Sequence, residues 1–521
     1  MLSHRRLALG AIVLTMAATA YLYIIIPKGF LPQQDTGLIV GVTEAAQDIS
    51  FQALLERQHT VSEIVLRDPD VASVAGFVGV GALNATPNTG RLYIPLKPRR
   101  DRTASADEVI ARLRQAVALV PGVSLLMQAA QEVQLDNRVT RTQYGYVLQD
   151  TDIPELMRWV PKLEQALRRR PELRDVASDQ QEGGAQASLV VYREKAAELG
   201  VMPEAIDATL YDAFGQRPIS TIYTQLNYYR VILEVEARFR DAPSALNSIY
   251  VKSVSGEQVP LSAFASLETK VAPLAITHVG RFPAVILSFN LAPGFSLGQA
   301  VDAITETERE IALPESIATT FSGGAAEFRA SASTEWMLIL AAIIVVYIVL
   351  GVLYESYIHP VTILSALPAA GVGALLALLL LHYDLSIISL IGIVLLMGIV
   401  KKNAIIMIDF ALEAERNRFY RPEQAILEAC LLRFRPIMMT TLTALFGALP
   451  VALGTGSGSE LRRPMGVAIV GGLLLSQFLT LYTVPVIYLA FSRLARSAGL
   501  RLPRLRAEAG APAVEGRPPA E

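Results

Sequence analysis

Apolar residues along this chain gather into six long runs: Leu7–Ile26, Trp336–Leu353, Val361–Leu381, Leu385–Ile408, Pro436–Leu453 and Met465–Phe491. Only the fourth carries charge. Apolar stretches of about 18 or more residues can cross a bilayer as helices. The pattern therefore predicts six membrane helices.

Between the first and second runs the periodicity changes. Thr36–Glu44 alternates like a strand and Phe51–Leu66 has apolar positions at helical spacing. Val71–Val78 and Arg91–Leu96 read as strands, Ala106–Leu119 as an amphipathic helix and Val123–Gln128 as a last strand. That order, β-α-β-β-α-β, is the ferredoxin-like split pattern. It recurs as strand Tyr144–Leu148, helix Ile153–Leu167 and strand Val176–Asp179, and then as Ala284–Asn290, Leu297–Ile311 and Thr319–Ser322. The stretch between, 180–275, holds strand-like runs at Ser188–Tyr192 and Tyr229–Val235 and reads as an insertion that splits the second unit. One irregular α+β domain without a repeat is the alternative.

The predicted fold class is an α+β membrane protein. A six-helix transmembrane bundle carries a large outer α/β part of ferredoxin-like split β-α-β units. The expected divisions are a first transmembrane helix in 1–26, outer subdomains at 27–140 and 141–335, a five-helix block at 336–491 and a tail at 492–521. The end of that tail, Ala507–Glu521, is rich in Ala, Pro and Glu and reads as disordered.

Composition supports the membrane reading. The chain is 52% hydrophobic and 18% charged, against about 25% charged in soluble domains. A net charge of −2 gives no electrostatic footprint for nucleic acid. The single cysteine, Cys430, excludes an internal disulfide framework. No catalytic, metal-ligating or cofactor-binding constellation is read from the residues, and no cofactor is expected.

The first run has a rival reading as a signal peptide, with His4, Arg5 and Arg6 ahead of it and Ala18-Thr19-Ala20 within it. The apolar stretch continues through Tyr21–Ile26, past that cleavage point, which favours an uncleaved helix. Basic residues of short loops orient the spans. Arg5 and Arg6, five arginines from Arg416 to Arg435 and six from Arg493 onward face Arg462 and Arg463 across the membrane. Both termini are then cytoplasmic, and residues 27–335 lie outside.

The chemistry is concentrated in the fourth run, where Lys401, Lys402 and Asn403 interrupt an apolar helix. A charge at bilayer depth costs at least about 2.5–3.5 kcal/mol on insertion scales. It is tolerated in a wet cavity or beside a partner. The two lysines are about 100° apart on a helix, so Lys402 faces the bundle while Lys401 snorkels. Snorkelling of both is the alternative, although Asn403–Ile408 continues the helix beyond them. In the fifth run, Arg433 and Thr440 lie about two turns apart on one face. Thr440 equally suits a plain bond to its own backbone. Glu335, Glu355, Asp384 and Asp409 all sit at helix ends, so no span offers Lys402 a carboxylate at mid-depth. That absence predicts a partner, from another chain or from a further portion of this one.

Gly76-Phe77-Val78-Gly79-Val80-Gly81 lacks the ending of a phosphate-binding loop. It reads either as a flexible turn or as a mobile loop whose Phe77 lines an apolar ligand path.

These motifs resemble one family. Ile26–Gly37, Leu350–Tyr357, Gly398–Ile405 and Arg433–Thr441 are similar, in order, to the seventh-helix exit, the eighth-helix end and the tenth and eleventh helices of resistance-nodulation-division (RND) multidrug efflux permeases of the hydrophobe/amphiphile type. Arg141-Thr142-Gln143-Tyr144 and Phe214-Gly215-Gln216-Arg217 resemble the Mdt-type subunits, which form mixed trimers. The resemblance covers residues 1 to about 495, corresponds to the C-terminal half of a permease, and begins at its seventh helix.

It implies proton-driven antiport of hydrophobic or amphiphilic compounds, antibiotics included, across a bacterial inner membrane. The relay residues would be Lys402, Thr440 and Arg433, answered by an aspartate pair in the N-terminal half. Implied partners are that half, a trimer of like or mixed subunits, a periplasmic adaptor protein, an outer-membrane channel and the lipid bilayer. The units at 27–140 and 141–335 resemble periplasmic pore subdomains, the insertion a docking region, and Gly76–Gly81 a loop on the substrate path. Rival functions are half of an RND-type protein-secretion factor, and a sensor or assembly module without transport.

Overall fold

The computed structural model describes residues 5–81, 84–135, 140–236, 239, 247–332, 334–417, 420–456 and 458–497. The tail end expected to be disordered, 507–521, lies outside the described residues, as do Ala82 and Leu83 of the glycine-rich segment.

After helix α1 (Arg5–Ile25), the outer part begins with β1 (Leu38–Ala45), α2 (Phe51–Leu66), β2 (Ala75–Val78), β3 (Thr89–Pro95), α3 (Ala106–Val117) and β4 (Val123–Ala129). The four strands form an antiparallel sheet in the order β2-β3-β1-β4. Successive strand residues face opposite sides. Ile39, Leu92, Ile94 and Met127 point to one side, where they are almost fully buried against Val61 and Val65 of α2 and Val109 and Leu113 of α3. Ser105 and Glu108 close α3 with a capping box, satisfying two backbone N–H groups that the first helical turn leaves orphaned. Register places Val42 and Phe77 beside Arg91, and Gln128 and Tyr93 beside Val40, on the face away from the helices. The strand expected over Val71–Val78 is shorter. Val71 makes only a lone bridge to Leu96, and regular pairing starts at Ala75.

The second sheet uses β5 (Tyr144–Gln149), α4 (Ile153–Leu167) and β6 (Leu173–Ser178) before the chain leaves it. β7 (Gly184–Val191) leads out to α5 (Arg193–Glu198), α6 (Pro203–Phe214), the hairpin β8 (Arg217–Tyr223) and β9 (Tyr228–Leu233), and the pair β10 (Tyr250–Lys252) and β11 (Gln258–Pro260). β12 (Ala265–Ala272) returns antiparallel to β7, so a two-stranded stalk carries a small core built around Phe264, Val251 and Leu261. The β8–β9 hairpin projects from it with Tyr223 and Leu226 exposed. β13 (His278–Val279), β14 (Phe282–Leu291), α7 (Leu297–Glu310) and β15 (Ala318–Ser322) then complete the second sheet, with β6 and β5 flanking β14 and β15 beyond β5. Its core packs Tyr146, Leu148 and Phe289 against Leu156, Val160 and Ile304.

After α8 (Gly323–Ala332) the chain turns apolar: α9 (Glu335–Tyr354), α10 (Ile358–Leu364), α11 (Leu367–Leu380), α12 (Ile387–Asn417), α13 (Pro422–Ala452) and α14 (Ser459–Ser497). Among the described residues, five segments are long and apolar enough to cross a membrane: Met337–Tyr354, Ile358–Leu380, Ile387–Glu415, Pro422–Ala452 and Ser459–Arg493. α1 supplies a shorter apolar stretch, Leu9–Ile25, where a sixth span was expected. The run Val361–Leu381 is not one helix but α10 and α11. Pro368 enters at the start of α11, where its missing N–H and its ring would break a continuous helix. Glycines let α11 and α14 approach closely, since a Cβ on Gly373 would lie 2.5 Å from the Gly471 carbonyl oxygen. The helices meet the outer part where Gly29 N donates to Leu385 O (3.2 Å) and Ile387 N to Phe30 O (3.2 Å). Arg99 also pairs with Glu460 at the start of α14.

Candidate functional site

Lys402 falls on α12 about 23 Å along the helix from Ile387, at 1.5 Å per residue. Its side chain is exposed, whereas Lys401 is half-buried. Among the described residues no carboxylate comes within ion-pair distance of Lys402. It lines a cavity of about 350 Å³ between α12 and α13, together with Gly398, Asn403, Thr440 and Ala444. Lys402 and Thr440 are thus brought to one site. Arg433 is not: it lies further down α13, its guanidinium 5.0 Å from the centre of the Phe410 ring, a cation–π contact between α12 and α13.

Sequence reasoning missed the polar chain behind the cavity. Asn403 Nδ2 donates to Thr441 Oγ1 (2.9 Å), and Thr441 Oγ1 donates to Gln477 Oε1 (2.8 Å). Thr440 Oγ1 donates to the Ile437 carbonyl (3.1 Å) and lies 3.4 Å from Asn403 Oδ1. Asn403 and Thr441 are 7% and 6% exposed, so this network ties α12, α13 and α14 together in an apolar interior. Gln477, the one amide in the last apolar run, was its available signal.

The glycine-rich segment divides. Gly76, Phe77 and Val78 are paired in β2, and Gly79 turns the chain at φ +85°, a conformation that favours glycine. Asn84 pins the turn by donating to the carbonyls of Phe77 (3.4 Å) and Gly79 (3.1 Å). Val80 is exposed, and Gly81 N donates to Asn84 O (3.0 Å). Phe77 packs edge-on against Tyr93, with ring centres 6.1 Å apart.

Tyr93 lines a cavity. It measures about 310 Å³ and lies between the open face of the first sheet and the second unit, bounded by Phe30, Leu31, Arg91, Gln128, Gln131 and Tyr144 among others. Burial pushes the Tyr144 phenol well above its usual range, against the pull of its hydrogen bond from Gln33, so it is neutral. Nearby, Arg102 makes a two-pronged bond to Asp35. Burial alone would raise the Asp35 carboxyl, but the bonds from Arg102 and from Ala106 N hold it below the usual carboxylate range.

A family model describing the AcrB/AcrD/AcrF family matches residues 1–492. The chain belongs to this RND permease family. Two solved structures share its fold. One crystal form of a heavy metal efflux pump is 25% identical, with a TM-score of 0.82 over 94% of this chain and 51% of the pump chain. A second crystal form is 23% identical, with a TM-score of 0.81 over 93% and 50%. The chain therefore spans about half the length of the pump chains it matches.

Proposed function

We propose that this RND permease chain acts as the C-terminal half of a proton-driven exporter of hydrophobic or amphiphilic compounds in a bacterial inner membrane. In this reading, residues 27–335 are periplasmic, both termini are cytoplasmic, and the two outer sheets are ferredoxin-like pore units. The carrying observation is the cavity that joins Lys402 to Thr440 on a face where, among the described residues, no carboxylate answers the lysine. Ionised aspartates of an N-terminal half would pair with Lys402. Protonation of one would release it towards Thr440, and the two packings would bias the outer cavities. Arg433, stacked on Phe410, would order the inner end of the same helix pair. The insertion, with its exposed β8–β9 hairpin, suits docking to an outer-membrane channel, and trimer formation with a periplasmic adaptor follows the family plan.

Replacing Lys402 with Ala tests the reading. Export of a fluorescent amphiphile from cells carrying both halves should fall to background, with the amount of membrane-inserted chain unchanged. Full export by Lys402→Ala would refute it, and absence of export with Lys402 intact would favour the secretion-factor or sensor reading. Heavy-metal export, the cargo named for the similar pump, is the second reading. The amphiphile reading is preferred because among the described residues no three His, Cys, Asp or Glu side chains gather as a metal site, and the outer cavity is lined by aromatics and amides.

A further inference from the structure

Arg91 is 7% exposed, yet among the described residues it has no ion pair and no side-chain hydrogen bond. Its Nε is buried without a partner. Among the described residues, three carboxylates of the outer units are engaged elsewhere. Asp35 is held by Arg102, Glu44 by Arg141 (2.9 Å) and Asp175 by Arg114 and Asn290. An uncompensated buried cation is costly. Here it borders a half-open cleft of about 310 Å³, a volume at the small end of ligand sites. Amides of Gln128 and Gln131 share that space, as do the apolar surfaces of Phe30, Leu31, Tyr93 and Tyr144.

We infer that this cavity selects anionic amphiphiles, with the Arg91 guanidinium pairing an oxyanion head group and the aromatic and leucine surfaces receiving the apolar tail. A guanidinium fork matches a carboxylate or sulfate with two parallel bonds. The Gln128 amide can donate to a remaining oxygen without adding negative charge, whereas the Gln131 amide already donates to the Gln34 and Ala129 carbonyls. The inference rests on the export reading and names the charge of its cargo.

The test uses two probes of equal chain length and opposite charge, laurate and dodecyltrimethylammonium. The chain is produced with its native partners, and the concentration of each probe that stops growth is measured. The wild type should raise both limits. Arg91→Met, which keeps bulk but not charge, should cut laurate tolerance by about tenfold, the scale of one charged hydrogen bond. It should leave the cation within about twofold, and Arg91→Lys should fall between wild type and Arg91→Met for laurate alone. Gln128→Glu supplies an internal carboxylate on the same sheet face. It should cause the same laurate loss with Arg91 intact, which keeps the inference testable if Arg91→Met fails to accumulate. Equal losses for both probes, or no loss for either, would overturn it. Wild-type protection against the cation alone would also overturn it while leaving the export reading standing. Protection against neither probe would sink the export reading itself.

Discussion

Two cations that have no carboxylate among the described residues stand in two regions of this molecule, and they differ in what surrounds them. Lys402 is exposed on the flank of the helical block, beside a cavity. Arg91 is enclosed by the first sheet and the second unit. An ammonium facing lipid is expensive, so the open flank calls for a protein surface that covers it and brings negative charge. The half-open space beside the buried guanidinium suits something small. One site is completed by assembly, the other by a ligand.

Charge reversal separates the two with the largest effect. Lys402→Glu should repel the covering carboxylates, abolish export and weaken co-purification of the two halves. Arg91→Glu should leave co-purification unchanged. Equal loss of assembly in both variants would erase the distinction.

The next test asks whether a lone buried guanidinium is in fact costly here. Arg102, with its side chain 1% exposed, has the carboxylate that Arg91 lacks. Asp35→Asn would leave Arg102 without its carboxylate, though still bonded to the Lys97 and Ala104 carbonyls, and should cost about 3 kcal/mol, the scale for breaking a buried pair. Thermal unfolding of the purified protein reads it. Because the Asp35 carboxyl is held below its ordinary 3.8, its contribution is present above that pH. It is lost as pH falls through the lower folded-state value. Wild type and variant should therefore differ at neutral pH and converge in acid. A neutral-pH difference near zero would mean that an unpaired guanidinium is cheap in this region, and Arg91 would no longer point to a ligand.

A steric test addresses the membrane flank alone. A Cβ on Gly398 meets nothing within 4 Å, so Gly398→Trp starts its side chain into open space on this flank. If another helix covers Lys402, the indole should hold it off and reduce export by about tenfold, roughly the effect of losing 1.4 kcal/mol of helix packing. Unchanged export would leave the flank facing lipid.

Much of this was legible from pattern. Helix α4 spans Ile153–Leu167, as read from spacing, because Leu156, Val160, Leu163 and Leu167 recur on one buried face. Lys402 stood out because a charge in an apolar run is rare. Asn403, Thr441 and Gln477 did not, since a lone amide or hydroxyl in a membrane helix does not show where its partner lies. Arg91 was invisible for a related reason. Alternation in β3 sets its face, but nothing local says that the second unit closes over it or that Asp35, Glu44 and Asp175 are already engaged. The break at Ser365–Ala366 was readable in principle from Pro368, but the apolar run hid it.

The smallest effect belongs to Phe77, and it sharpens the outer site. Phe77 lies opposite Arg91 in the β2–β3 register and packs against Tyr93, a wall of the cavity, while being 49% exposed itself. Truncation to Ala removes an aromatic contact of about 0.5–1.5 kcal/mol, and being half-exposed it leaves little void. Export should fall only a few-fold, and equally for laurate and dodecyltrimethylammonium, because a ring supports the tail and not the head group. That equality makes Phe77→Ala the control for Arg91. If the Phe77 variant also discriminated by charge, selectivity would come from the shape of the whole sheet face, and the enclosed guanidinium would lose its special place in the comparison.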